Sequence, residues 1–166
     1  MDHEDELKSV LEQERHLIFP RFDASIAKTL GLALEQAALK MGSAITIDIR
    51  RGDELIYFFA MPGTTPENAD WARRKRNVVE LLRRSSYSVG LDCRITGVSL
   101  EEKMGLPARD YACHGGAVPI RVAHVGHVGT ITVSGLPQRE DHQLVVGVIG
   151  EWLERDAAGP AITGHS

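Results

Sequence analysis

The stretch Asp110-Tyr111-Ala112-Cys113-His114-Gly115-Gly116-Ala117-Val118-Pro119-Ile120 sets one imidazole directly before two glycines. At neutral pH a histidine can donate or accept a hydrogen bond, or serve as general acid or base. Gly115 and Gly116 let the backbone approach a ligand closely, and a turn of this kind can offer consecutive N–H groups to an anion. The plain alternative is a turn leading into a strand, with a surface histidine. Arg73-Arg74-Lys75-Arg76 is a dense basic run. Arg73 and Arg76, spaced i, i+3, can aim two guanidinium forks at a carboxylate or phosphate. As a solvated helix face paired with Glu67, Asp70 or Glu80, the same run needs no ligand. The candidate binding residues are therefore His114, Gly115, Gly116, Arg73 and Arg76, with His114 the candidate catalytic group. Spacing alone does not bring the basic run to the turn.

The other histidines and the cysteines argue against a metal. His124 and His127 flank Gly126 without a third ligand at useful spacing, and neither His-Glu-x-x-His nor a closely spaced cysteine pair occurs. His142 falls on an apolar stripe and reads as a satisfied core or interface histidine. Cys93 and Cys113 are expected to be free thiols in a reducing compartment. Haem ligation needs an axial His, Cys, Met or Tyr beside an apolar slot. His114 and Cys113 qualify by type, but no Cys-x-x-Cys-His attachment sequence marks them, so the residues themselves call for no cofactor. Gly-x-Ser-x-Gly, Gly-x-Gly-x-x-Gly and the phosphate-binding loop are absent.

Hydrophobic periodicity supplies the elements that must position these residues. Leu7, Val10, Leu11 and Ile18 follow near-helical spacing from about Glu4, ending before Pro20. Asp23 reads as an N-cap for a helix carrying Ile26, Leu30, Leu34 and Met41, stopped by Gly42. Ile45, Ile47 and Ile49 alternate with Thr46 and Asp48 as in a half-buried strand, and Arg51-Gly52-Asp53 turns the chain into a second strand, Leu55 to Ala60. Thr65-Pro66 opens a helix with Trp71, Lys75, Val78, Val79 and Leu82 on one side. A helix from Ser86 and a short one capped by Ser99 and Glu102 follow. Val118 to Val122 and Val128 to Val133 read as a second hairpin through Gly126. His142, Val145, Val146, Ile149, Trp152 and Leu153 stripe a last helix. Hairpins with helices grouped between them predict an α+β fold: an antiparallel sheet flanked by helices.

At 166 residues the chain fits one domain over 1–166, with a core from about 7 to 155 and a tail over 156–166 expected to fray. It is 43% hydrophobic and 25% charged, ordinary for a globule rather than a disordered chain. A net charge of −4 and only 5% aromatic residues disfavour nucleic acid. No apolar run approaches the ~20 residues of a membrane span, and the acidic start, Met1-Asp2-His3-Glu4-Asp5-Glu6, is unlike a signal peptide. The sequence reads as cytoplasmic. The stripes of the first and last helices exceed what a small sheet covers, so self-association as a dimer or larger is expected.

His114-Gly115-Gly116 followed by Val118-Pro119-Ile120 resembles the haem-degrading domain superfamily, which includes GlcG-like and HbpS-like proteins. Ser134-Gly135-Leu136-Pro137-Gln138 with Glu140-Asp141-His142, and Arg74-Lys75-Arg76-Asn77 with Ser85-Ser86-Tyr87, resemble its uncharacterised UPF-type branch. The resemblance spans about Leu7 to Leu153. It implies a profilin-like fold on an antiparallel sheet and a homo-oligomer built from dimers, makes haem a candidate cofactor, and fixes no reaction. A small-ligand-binding homo-oligomer without established catalysis is the leading expectation. The alternatives are an enzyme on a small anionic substrate with His114 as acid/base, and a structural or partner-binding module.

Overall fold

In the computed structural model, which describes residues 2–159, helices start where short polar side chains meet the free N–H groups of a first turn. Asp2 accepts from Asp5 N at 2.8 Å and opens α1 (His3–Arg15). Asp23 accepts from Ile26 N at 2.8 Å and opens α2 (Ala24–Lys40). In α3 (Pro66–Leu82) the Asn68 carboxamide accepts the Thr65 N–H at 3.0 Å. Ser85 and Ser99 cap α4 (Ser86–Thr96) and α5 (Leu100–Met104). The last helix, α6 (Gln138–Ala158), follows Pro137 with no side-chain cap. Asp156, Ala157 and Ala158, assigned from sequence to a fraying tail, are its final turn, and Gly159 is its C-cap; 160–166 lie outside the described residues.

Five strands form one sheet in the order β1-β4-β5-β2-β3. β2 (Thr46–Arg51) and β3 (Glu54–Ala60) are one hairpin, β4 (Ala117–Val122) and β5 (Gly126–Ser134) the other, and β5 joins them antiparallel to β2. The first strand, β1 (Ile18–Phe19), pairs with β4 in parallel, Ile18 beside Arg121. The fold is α+β as expected, but its sheet is mixed. α1 stops at Arg15, and Ile18, assigned to its stripe, is 39% exposed in β1. Two residues are too short for any period to show.

The two faces of the sheet differ in chemistry. Ile45, Ile47, Ile49, Val118, Ile120, Ile131 and Val133 meet Leu30 and Leu34 of α2 and Val145 and Ile149 of α6 in the main core. Trp152 and Leu153 pack on that core, while Val10 joins Tyr87 and Leu91, with Leu7 against them. Of the two stripes expected to meet a second subunit, Val10, Val145, Val146 and Ile149 are thus buried within the chain, while Leu7, Leu11, Trp152 and Leu153 are half-buried. Alternation puts Thr46, Asp48, Thr130, Thr132 and Ser134 on the opposite face, and α3 lies across it. Thr46 is 0% and Asp48 4% exposed, so β2 is buried on both sides rather than half-buried. A smaller cluster of Val78, Val89 and Leu100 joins α3, α4 and α5. Among the described residues, no helix is long and apolar enough to cross a membrane.

Candidate functional site

A pocket of about 250 Å³ opens where α3, the His114 turn, the end of β5 and the start of α6 converge. Its floor is made by a lysine. Lys75 is 3% exposed, and its Nζ donates to Gly115 O at 3.0 Å, Val133 O at 2.7 Å and Asp141 Oδ2 at 3.1 Å. Three ammonium protons meet three acceptors, so none remains for a ligand. Burial pulls the Lys75 pKa down while the Asp141 carboxylate raises it. Burial likewise pushes Asp141 up, against Lys75 and the Leu136 N–H, which donates to its Oδ1 at 3.0 Å. The complete tripod favours the ionised pair, because a neutral amine would lack a proton for one of these acceptors.

The two glycines answer to this tripod. Gly116 has φ +134°, and a Cβ there would stand 2.5 Å from both Lys75 Nζ and Val133 O. A Cβ on Gly115 would lie 2.2 Å from Gln138 O. The Gly115 N–H, expected to face a ligand, donates instead to Gln138 Oε1 at 3.0 Å. The Gly-Gly pair is therefore explained by close packing against Lys75 and α6.

His114 lines the pocket mouth. Its ring meets Trp71 of α3 edge-on, with centroids 5.2 Å apart and planes at 84°, and the Arg74 guanidinium lies 4.4 Å from the centre of the Trp71 ring. Burial, then the positive charges of Lys75, Arg74 and Arg94, hold the His114 pKa below its ordinary value of 6.5. The imidazole is neutral at neutral pH, with one nitrogen free to accept. Asn68, Ser134, Leu136 and Gln138 complete the wall.

The structure does not bring Arg73 and Arg76 to this pocket. Arg73 donates to Asp70 at 3.2 Å and to Asp110 at 2.9 Å. Arg76 pairs with Asp48 at 3.2 Å in the polar layer beneath α3. Lys75 is the member of the basic run that reaches the pocket, because its helical position points at the end of β5. Sequence reasoning missed Trp71, Lys75, Ser134, Gln138 and Asp141 as pocket residues. One signal was visible: a lysine among Trp71, Val78 and Val79, where core residues belong.

The remaining histidines lie elsewhere. His127 Nε2 meets Glu80 Oε1 at 3.1 Å, and Glu80 also accepts from Thr130. His142 is buried and stacked on Tyr87 at 4.8 Å, but neither ring nitrogen meets a protein partner, so it is not the satisfied histidine expected. Among the described residues, no three His, Cys, Asp or Glu side chains converge as metal ligands. Haem, a candidate cofactor by the family resemblance, would find one axial imidazole here in His114, but the apolar slot it needs is poorly matched. Trp71 and Leu136 are the only large apolar walls among mostly polar ones, and Cys113 packs instead against the Val78–Val89–Leu100 cluster.

The family model described as haem degrading protein HbpS-like matches residues 22–149, a stretch containing every pocket residue. A UPF0303 protein of Burkholderia mallei is 49% identical over 165 residues, covering 99% of this chain and 100% of its own. Among solved structures, the Ybr137w protein superposes with a TM-score of 0.84 at 25% identity, over 91% of this chain and 89% of its own. A complex of PduOC with haem superposes with a TM-score of 0.66 at 14% identity, over 78% and 93%, a likeness of fold alone.

Proposed function

Because the chain belongs to the HbpS-like family of haem-degrading proteins, and to its uncharacterised UPF0303 members, we propose that it binds a small anionic ligand in the His114 pocket, without haem and without turnover. The observation that carries this reading is the positive field at His114. After burial, the charges of Lys75, Arg74 and Arg94 lower that ring's affinity for a proton. Asp141 neutralises Lys75, so Arg74, held against Trp71, and Arg94 supply the field that attracts an anion. α6 starts at the pocket with Gln138 and has no side-chain cap, so the positive end of its dipole adds to that field, offset in part by Glu140 and Asp141 in the first turn. The Ser134 hydroxyl and the Gln138 amide are further donors in the wall.

Turnover would need a second free titratable group beside His114. Lys75 and Asp141 hold each other, which favours binding over acid/base chemistry. The reading places the protein in a reducing cytoplasm, supported by two free thiols. It also includes self-association through β3, the uncovered long edge of the sheet, where Leu55 is 48% and Phe58 44% exposed.

The test is a thermal-shift screen of small carboxylates and phosphates, with affinities measured calorimetrically on the wild type, His114→Ala and Arg73→Ala. A ligand at a hundred times its Kd stabilises the fold by about 2.7 kcal/mol, a readily measured shift. We expect His114→Ala to weaken binding at least tenfold and Arg73→Ala to leave it unchanged. Equal affinity in His114→Ala, or no anion that shifts the wild type, overturns the assignment.

A further inference from the structure

Cys113, one residue before His114, lies against α4. A Cβ built on Gly90 would stand 2.2 Å from Cys113 O and 3.7 Å from Cys113 Cβ, so the turn crosses the helix where only glycine fits. Cys93 follows Gly90 by three positions and shares its face of α4. Both cysteines are free, and both pack against the cluster of Val78, Val89 and Leu100. The Cys93 side chain is close enough to the Cys113 thiol to help raise its pKa. Cys93 alone of the two lines an opening of about 190 Å³, bordered by Arg84 and Lys103, which admits a small oxidant.

We propose that Cys93 and Cys113 form a reversible dithiol–disulfide pair, oxidised by hydroperoxides, that fastens the His114 turn to α4. The Cys93 sulfur attacks one peroxide oxygen, the O–O bond breaks, and the other oxygen leaves with a proton as water or alcohol. Cys93 is then a sulfenic acid. The Cys113 sulfur attacks Cys93 Sγ, gives up its proton, and displaces hydroxide as a second water. Two sulfurs lose two electrons in all, and the peroxide bond gains them. Cys113 does not line that opening and acts as the resolving partner, giving up its proton only as it attacks. Burial and the neighbouring thiol push its pKa up to about 12, which makes it the slower thiol to meet the oxidant. Cys93, at the opening, takes the first step.

The test treats reduced, full-length protein with excess hydrogen peroxide, then alkylates it in denaturant and measures intact mass and tryptic peptides. The expected result is joint loss of both alkylations, a mass lower by two hydrogens, a peptide linking Cys93 to Cys113, and full reversal by dithiothreitol. In C113S, Cys93 should be trapped as sulfenic acid by dimedone; in C93S, Cys113 should remain alkylatable. The proposal fails if the wild type keeps both alkylations. It also fails if the wild type only gains oxygen, or if its disulfides join separate chains on a non-reducing gel.

Discussion

Removing one member of the Lys75–Asp141 pair leaves the other as an uncompensated charge in a site only 2–3% exposed. Lys75→Met or Asp141→Asn should cost about 3–5 kcal/mol in urea unfolding. Lys75→Met combined with Asp141→Leu should recover much of that, since no lone charge remains. A near-neutral single variant would show that the pair does not hold the turn. His142 gives a pH signature. Burial pushes its imidazole down to about 4 from 6.5, with Glu6 opposing. The unfolded chain therefore binds a proton that the folded one refuses. This contribution is fully present above pH 6.5 and is lost as pH falls toward 4, amounting to about 3 kcal/mol at the low end. His142→Phe should flatten that part of the curve, leaving the smaller shares of His114 and His127, whose pKa values are also lowered. An unchanged slope between pH 6.5 and 4.5 would refute it. These residue-scale facts were half legible. His114 was singled out by its glycine neighbours, but the reason for those glycines, an ammonium arriving from 40 residues away, has no local trace.

Helix caps and strand periods were the most legible features, because each is decided within a few residues. Asp23, Ser99 and the Ile45–Ile47–Ile49 alternation all name their elements in place. Attachments between elements were not legible. α1 is tied to the start of α4 by Glu14, 3% exposed, whose Oε1 accepts the Ser85 N–H at 3.0 Å across 71 positions of sequence. Burial raises the Glu14 pKa, while Ser85, Arg121 and Arg84 oppose it. Glu14→Ala strands the buried Ser85 donor and should cost about 1–3 kcal/mol, whereas Glu14→Gln keeps an acceptor and should cost less. Amide exchange at Ser85 should accelerate in the alanine variant alone; equal protection in both would place the anchor elsewhere. Tyr87 makes a second tie from α4 to α1 through Glu6, and its phenol is pushed up to about 12 by burial and then by that carboxylate.

At the scale of the molecule, the apolar stripes of α1 and α6 are largely covered by the chain itself, and the proposed self-association falls to the β3 edge, where Leu55 and Phe58 are exposed. Sedimentation at micromolar concentration should show a dimer or larger, and Phe58→Asp should shift it toward monomer without loss of fold. A wild-type monomer would remove the edge from consideration. The fold class followed from hairpins and helices in order. The burial of the Thr46–Asp48 face did not, since polar strand residues ordinarily signal water, and only a helix bearing Lys75, Arg76 and Glu80 turns that face into an interior. That polar seam has a calorimetric consequence. Lifting α3 from the sheet hydrates Ala72, Val78 and Val79 together with charged groups, hydroxyls and carbonyls, and the polar share lowers the heat capacity of the opened state against the rise from the apolar share. α3 should therefore open as a subglobal unit with a weak denaturant dependence, below the free energy of global unfolding. Each such opening takes Trp71 and Lys75 away from His114, so for the anion proposed there the lifetime of the closed seam is an upper limit on residence.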